Sequence, residues 1–249
     1  MNITTSWIGK KLKRNNFINI PNLSDSCWCE SISSYFYRNP GADMMLRAEE
    51  LQEQILKDTR IFHFGTLSMT DEPVRSTTRH AIETAKANGA LLSFDPNIRE
   101  PLWQSMEEAK RQTAYGMEVC DVLKISDNEI RWFTGEEDFD RGVDKLWREY
   151  HIPLILLSMG SGGSRAYCSS RRAEQPAFLQ AGTIETTGAG DTFGACCLHY
   201  ILEHGMAGLG TTELEEMLRF ANAAASIVTT RRGALRVMPE PEEIQVFLV

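Results

Sequence analysis

The sequence has no excess of basic charge: 26 lysines and arginines stand against 34 aspartates and glutamates, for a formal net charge of −8. A general binder of nucleic acid or another polyanion needs a basic face to release counterions, so that class is excluded, and any phosphate held here must meet a local positive feature. The six cysteines (Cys27, Cys29, Cys120, Cys168, Cys196 and Cys197) include no CxxC pair, and there is no HExxH or other histidine spacing suited to zinc. They read as reduced thiols of a cytosolic protein rather than as metal ligands or disulfides. No apolar run is long enough to span a bilayer, the first residues lack the apolar stretch of a signal peptide, and no internal repeat or low-complexity linker divides the chain. The expectation is a cytoplasmic protein with neither nucleic acid nor membrane as partner. The short basic run Lys10, Lys11, Lys13 and Arg14 reads as a solvated face.

What is present is a composition of 42% hydrophobic and 24% charged residues over 249 positions, enough for one large α/β domain. From Ile61 onward, short apolar runs alternate with amphipathic stretches. Ile61 to Phe64, Ala90 to Phe94, Val122 to Ile125 and Leu154 to Ser158 read as buried strands. Between them lie helices, the clearest predicted over Glu72 to Asn88, with Asp71 as its cap and Gly89 as its left-handed stop. This rhythm predicts a mostly parallel sheet covered on both faces. Asp191 to Leu202 and Leu214 to Thr229 have the spacing of two packed helices, whose approach is eased by Ala195, Ala221, Ala223, Ala224 and Ala225. Residues 1–34 are rich in Asn, Ser and Lys and show no sustained period, so no ordered element is legible there.

One segment carries chemistry. Thr186-Thr187-Gly188-Ala189-Gly190-Asp191-Thr192-Phe193-Gly194 passes from a polar loop directly into an apolar helix. Free backbone N–H groups and the positive end of the helix dipole make such an entry an anion site, and Gly188 and Gly190 leave room for a phosphate against the backbone. Asp191, in the first turn, is placed to accept a proton from a hydroxyl attacking phosphorus. The plainer alternative is a tight turn with Asp191 as a cap. A dinucleotide fingerprint is disfavoured by context, because no ribose-binding acid at a strand end follows at the required distance.

The ETTGAGDTFGA segment strongly resembles the C-terminal signature of the ribokinase-like (PfkB) carbohydrate kinases. Ser93 to Arg99 resembles that family's DPNxR strand end, Leu123 to Glu129 its NxxE segment, Ser158 to Gly163 its nucleotide-side glycine loop, and Asn222 to Ala234 its adenine-side closing segment. Phe36 to Asp43 (FYRNPGAD) is similar to a segment of the fructokinases. The resemblance implies a three-layer αβα sandwich with a mostly parallel sheet, and transfer of the γ-phosphoryl group of ATP to a hydroxyl of a small sugar, fructose foremost, with a nucleoside as the acceptor of a third reading.

It also implies roles. Asp191 contacts the sugar hydroxyl and takes its proton, and the amides of Gly188, Ala189 and Gly190 steady the phosphoryl oxygens. Arg38 and Arg99 hold the sugar, a task that suits the fixed fork of a guanidinium. Lys124, Ser126, Ser158, Gly160 and Gly163 flank the nucleotide together with Gly188 and Gly190, and Asn222 and Gly233 lie near adenine. Glu129 organises Mg2+ through water. Glu185 stands where many members carry an aspartate that binds a monovalent cation, and with Thr187 it is the candidate for K+. Ser126 replaces the family's asparagine and shortens its reach. The family's opening strand, Gly-Gly motif and most of its β-lid are not legible before Tyr35, which predicts an atypical segment 1–34, a partial kinase domain over 35–249, and a chain lacking the N-terminal strands and most of the lid. Members pair through that lid, making a homodimer the candidate assembly. An incomplete sugar pocket leaves a second reading open, a nucleotide-binding remnant or regulatory protein without catalysis, since orientation supplies much of the rate in such transfers.

Overall fold

The computed structural model describes residues 40–233 and 236–249; the expectations for Arg38 and for segment 1–34 fall outside them. Among the described residues six strands form one sheet in sequential order: β1 (Ile61–Gly65), β2 (Leu91–Asp95), β3 (Val122–Ser126), β4 (Leu154–Ser158), β5 (Ser164–Cys168) and β6 (Arg171–Gln175). The first four are parallel, and β5 and β6 return antiparallel, so the sheet is mixed and mostly parallel.

The helices are α1 (Glu53–Asp58), α2 (Val74–Ala87), α3 (Met106–Val119), α4 (Asp127–Thr134), α5 (Phe139–Tyr150), α6 (Ala189–His204), α7 (Thr211–Thr229) and α8 (Pro241–Leu248). They divide between the two sheet faces. On one face Phe64, Leu92, Phe94, Leu123, Ile125, Ile155 and Leu157 pack against Ile82 of α2, Met117 of α3, Ile130 of α4 and Leu146 of α5. On the other, Ile61, Val122, Leu154 and Leu156 meet Phe193, Leu198 and Ile201 of α6 and Leu214, Met217 and Leu218 of α7. Successive strand residues point to opposite faces, which is why strands buried on both sides read as unbroken apolar runs. The result is a three-layer αβα sandwich. No helix among the described residues is long and apolar enough to cross a membrane.

The helix predicted over Glu72 to Asn88 begins later, at Val74, with Pro73 at its N-cap. Asp71 does not cap it, because its carboxylate accepts from Gln104 Nε2 at 3.1 Å. The Glu72 carboxylate takes that place, accepting from the Ser76 amide at 3.2 Å and the Ser76 hydroxyl at 2.5 Å. Gly89 has the expected left-handed backbone, φ 83°. In α7, Ala221, Ala223 and Ala224 are fully buried, so the small residues do sit inside the helix layer.

Candidate active site

The carboxyl ends of β1, β2 and β3 and the first turn of α6 converge on one side of the sheet, the position where open α/β sheets gather their ligands. Gly188 is the N-cap of α6 in a left-handed conformation, φ 80°, with no side-chain cap, and Asp191 lies exposed in the first turn. Of the three amides expected to face a phosphate, that of Ala189 is turned back into the loop, donating to Thr186 O at 3.1 Å. First-turn donors remain at Gly190 and Asp191, whose N–H groups have no partner within a helix. The Thr192 hydroxyl donates to Gly188 O at 2.8 Å and fixes the turn.

Beneath this turn lies a polar row on an otherwise apolar sheet face. Lys124 of β3 donates to Asp95 Oδ2 of β2 at 2.9 Å, and both are buried. Burial pushes the Asp95 carboxyl up to about 6 against the pull of Lys124. Burial draws the Lys124 ammonium the other way, but the charge and hydrogen bond of Asp95 outweigh it, so the lysine is held above its ordinary value. One layer deeper, His63 Nδ1 meets Ser93 Oγ at 3.0 Å, and burial holds the imidazole below its usual value although the charge of Asp191 opposes it. Gly65 permits this convergence: a Cβ there would lie 2.7 Å from Asp95 O. Thr66 then ties the strand end to the loop that follows β2 by donating its hydroxyl to Pro96 O at 2.6 Å.

Ser126 and Glu129 form a capping box at the start of α4, with Glu129 Oε2 accepting from the Ser126 amide at 2.9 Å and hydroxyl at 2.7 Å. Glu129 Oε1 accepts from the Ile98 amide at 2.9 Å, so this carboxylate binds the end of β3 to the loop carrying Arg99. Arg99 is half-buried there and donates to Ile98 O at 3.0 Å. Among the described residues no cluster of three His, Cys, Asp or Glu side chains is placed to enclose a metal. A lone half-buried carboxylate with lone pairs to spare suits an ion that keeps most of its water, as magnesium does, rather than an all-protein cage.

Ser158 ends β4 at the turn into β5. Gly160 (φ 53°) and Gly163 (φ 89°) close that turn, and a Cβ on Gly163 would lie 2.2 Å from Gln175 O, so no other residue fits. Asn222, expected near adenine, turns its side chain inward: Oδ1 accepts from Ser164 Oγ at 2.9 Å, and Nδ2 donates to Gln175 O at 3.1 Å and Pro176 O at 3.0 Å. With every side-chain hydrogen-bonding group occupied, it braces the β5–β6 hairpin against α7. Glu185 and Gly233 come together, the Gly233 amide donating to Glu185 Oε1 at 2.6 Å, while Thr187 stays exposed in the same loop. The pairs His63–Ser93 and Asp95–Lys124 were missed in the sequence. Their only signal is polar residues at alternate positions of apolar strands.

Residues 31–241 match the family described as pfkB family carbohydrate kinase. Fructokinase-1 of Zea mays is 39% identical over 210 residues, which are 84% of this chain and 64% of that protein. Fructokinase-2 of Solanum lycopersicum is 38% identical over 214 residues, 86% of this chain and 65% of that protein. The chain thus spans slightly less than two thirds of the length of these relatives. Among solved structures, fructokinase from Xylella fastidiosa with bound ATP superposes with a TM-score of 0.78 at 29% identity, covering 86% of this chain and 69% of that one. Fructokinase from Vibrio cholerae O395 with fructose, ADP and calcium ion bound gives a TM-score of 0.71 at 26% identity, covering 84% of this chain and 67% of that one.

Proposed function

Because this chain belongs to the pfkB family of carbohydrate kinases, we propose that it transfers the terminal phosphoryl group of ATP to a hydroxyl of a small sugar, with fructose as the substrate to test first. The observation that carries this reading is the first turn of α6, where first-turn amides and an exposed carboxylate, Asp191, share one helix end. The names of the relatives and the ligands bound in the similar structures support the same choice of nucleotide and sugar.

In the reaction, the sugar hydroxyl gives its proton to Asp191 as its oxygen forms a bond to phosphorus, and the bond from phosphorus to the bridging oxygen of ADP breaks. The amides of Gly190 and Asp191 and the positive end of α6 stabilise the charge on the phosphoryl oxygens, the largest contribution a protein makes to a loose transition state. Arg99 binds sugar oxygens from the loop after β2, and Arg38 serves the same substrate. Ser126, Ser158, Gly160 and Gly163 shape the nucleotide side, and Gly233 closes it. Glu129 is the residue that would hold a magnesium ion through water, and such an ion would supply positive charge against the phosphates. Glu185 and Thr187 are the residues that would take up K+.

The experiment is calorimetric titration with ATP-Mg, followed by fructose and coupled detection of ADP. Fructose-dependent ADP release in the wild type, its loss in Asp191→Ala by at least about a hundredfold, and ATP affinity preserved within about threefold are the expected results. Equal turnover in Asp191→Ala would defeat the assigned base. The second reading is nucleotide binding without turnover; ATP binding with no ADP release from any small sugar would establish it instead.

A further inference from the structure

Lys124 and Asp95 are charged residues on a sheet face lined mostly by apolar side chains. The neighbour of Lys124 on the same face of β3, Val122, is core. The ammonium is held on one side by Asp95 at 2.9 Å, and on the other it lies against α6, where a Cβ built on Gly190 would come within 3.3 Å of Nζ. Asp95 depends on it entirely: its second oxygen, Oδ1, is buried with no hydrogen-bond partner among the described residues. Energetically the placement is a poor one. A buried ion pair contributes less than apolar side chains of the same volume, and the positive end of α6 repels an ammonium.

We propose that Lys124 and Asp95 are a positioning couple: Asp95 clamps the ammonium, and the ammonium supports the first turn of α6 from below, so that the Gly190 and Asp191 amides and the Asp191 carboxylate converge on one point. The small residue at Gly190 follows from this, since the ammonium occupies the space beneath it. The inference rests on reading the α6 turn as the phosphoryl site, and it adds what holds that site in place.

Hydrogen exchange read by mass spectrometry on the full chain tests it without requiring turnover. In Lys124→Met and Asp95→Asn, peptides covering 186–194 are expected to exchange about tenfold faster than in the wild type or more, while peptides from β4 keep their wild-type rates. Wild-type exchange over 186–194 in either variant would overturn the couple, and so would acceleration spread evenly through β2, β3 and β4, which marks a pair that merely holds the sheet. If Lys124→Met does not fold, the conservative Asp95→Asn decides alone. Turnover measured in parallel separates the two readings. A wild type without sugar-dependent ADP release counts against the kinase assignment and leaves the exchange result to judge the couple. Where the wild type turns over, kcat is expected to fall about a hundredfold with the KM for ATP within about threefold, the signature of a misaimed rather than an empty site.

Discussion

Asp95, buried, and His63, half-buried one layer deeper on the same sheet face, link the fold to pH in opposite senses. The folded-state carboxyl of Asp95 is pushed up to about 6 by burial, above its value in the unfolded chain. Between the ordinary carboxylate value of about 3.9 and that point, the folded protein binds a proton the unfolded chain has released, so this group's contribution falls as pH rises through the window. His63 is held below its ordinary value by burial, so below about pH 6.5 the unfolded chain gains a proton that the fold refuses, and stability falls as pH drops. The two partly cancel. Asp95→Asn removes one of them, and its urea midpoint is expected to decline more steeply from pH 7 to pH 5 than that of the wild type. Parallel profiles would mean that Asp95 is not the buried, late-ionising carboxyl described above.

At the scale of elements, the strands were the most legible part of the chain. Four of the six follow the apolar runs to within a residue, because a strand buried on both faces reads as an apolar run that one or two polar residues do not hide. The β5–β6 hairpin was not legible: Arg165, Arg171, Arg172 and Glu174 interrupt the pattern, and Arg165 and Arg172 pair both with Glu174 within the hairpin and with Asp140 of α5. The site divides in the same way. The glycine-rich turn of α6 and the Ser126–Glu129 box are local and were legible as motifs, whereas Lys124–Asp95 and His63–Ser93 are pairings made by sheet register. The contacts of Asn222 were not legible, because its partners Ser164, Gln175 and Pro176 belong to or follow that hairpin. Contact between elements also sets one demanding position. A Cβ on Gly116 of α3 would fall 2.3 Å from the Phe94 ring, so Gly116→Ala must push helix and strand apart despite alanine's better helix propensity. A loss of about 2 kcal/mol in denaturant unfolding is expected; a gain would show that α3 can shift freely on β2.

Among the described residues one sheet serves two cores, one on each face. Ile155 and Leu156 are consecutive residues of β4, both buried, yet one belongs to the layer under α2–α5 and the other to the layer under α6 and α7. Truncating either to alanine is expected to cost about 2–5 kcal/mol. Because both layers grip the same strands, each variant should still unfold in a single transition by fluorescence and by circular dichroism; two resolved transitions in one of them would show that the layers are independent units.

The sequential strand order also decides what a ribosome exposes. Each of β2, β3 and β4 pairs with the strand made just before it, and α2 to α5 cover one face as they emerge, so that half of the protein can assemble by accretion in the order of synthesis. The opposite face waits for α6 and α7. Until they are made, Ile61, Val122, Leu154 and Leu156 lie bare beside the Lys124–Asp95 pair, and the nascent chain is a sheet with one finished side. The helix whose first turn forms the candidate active site is therefore one of the two that cover this face, and a defect in that turn is expected to lower the yield of folded protein.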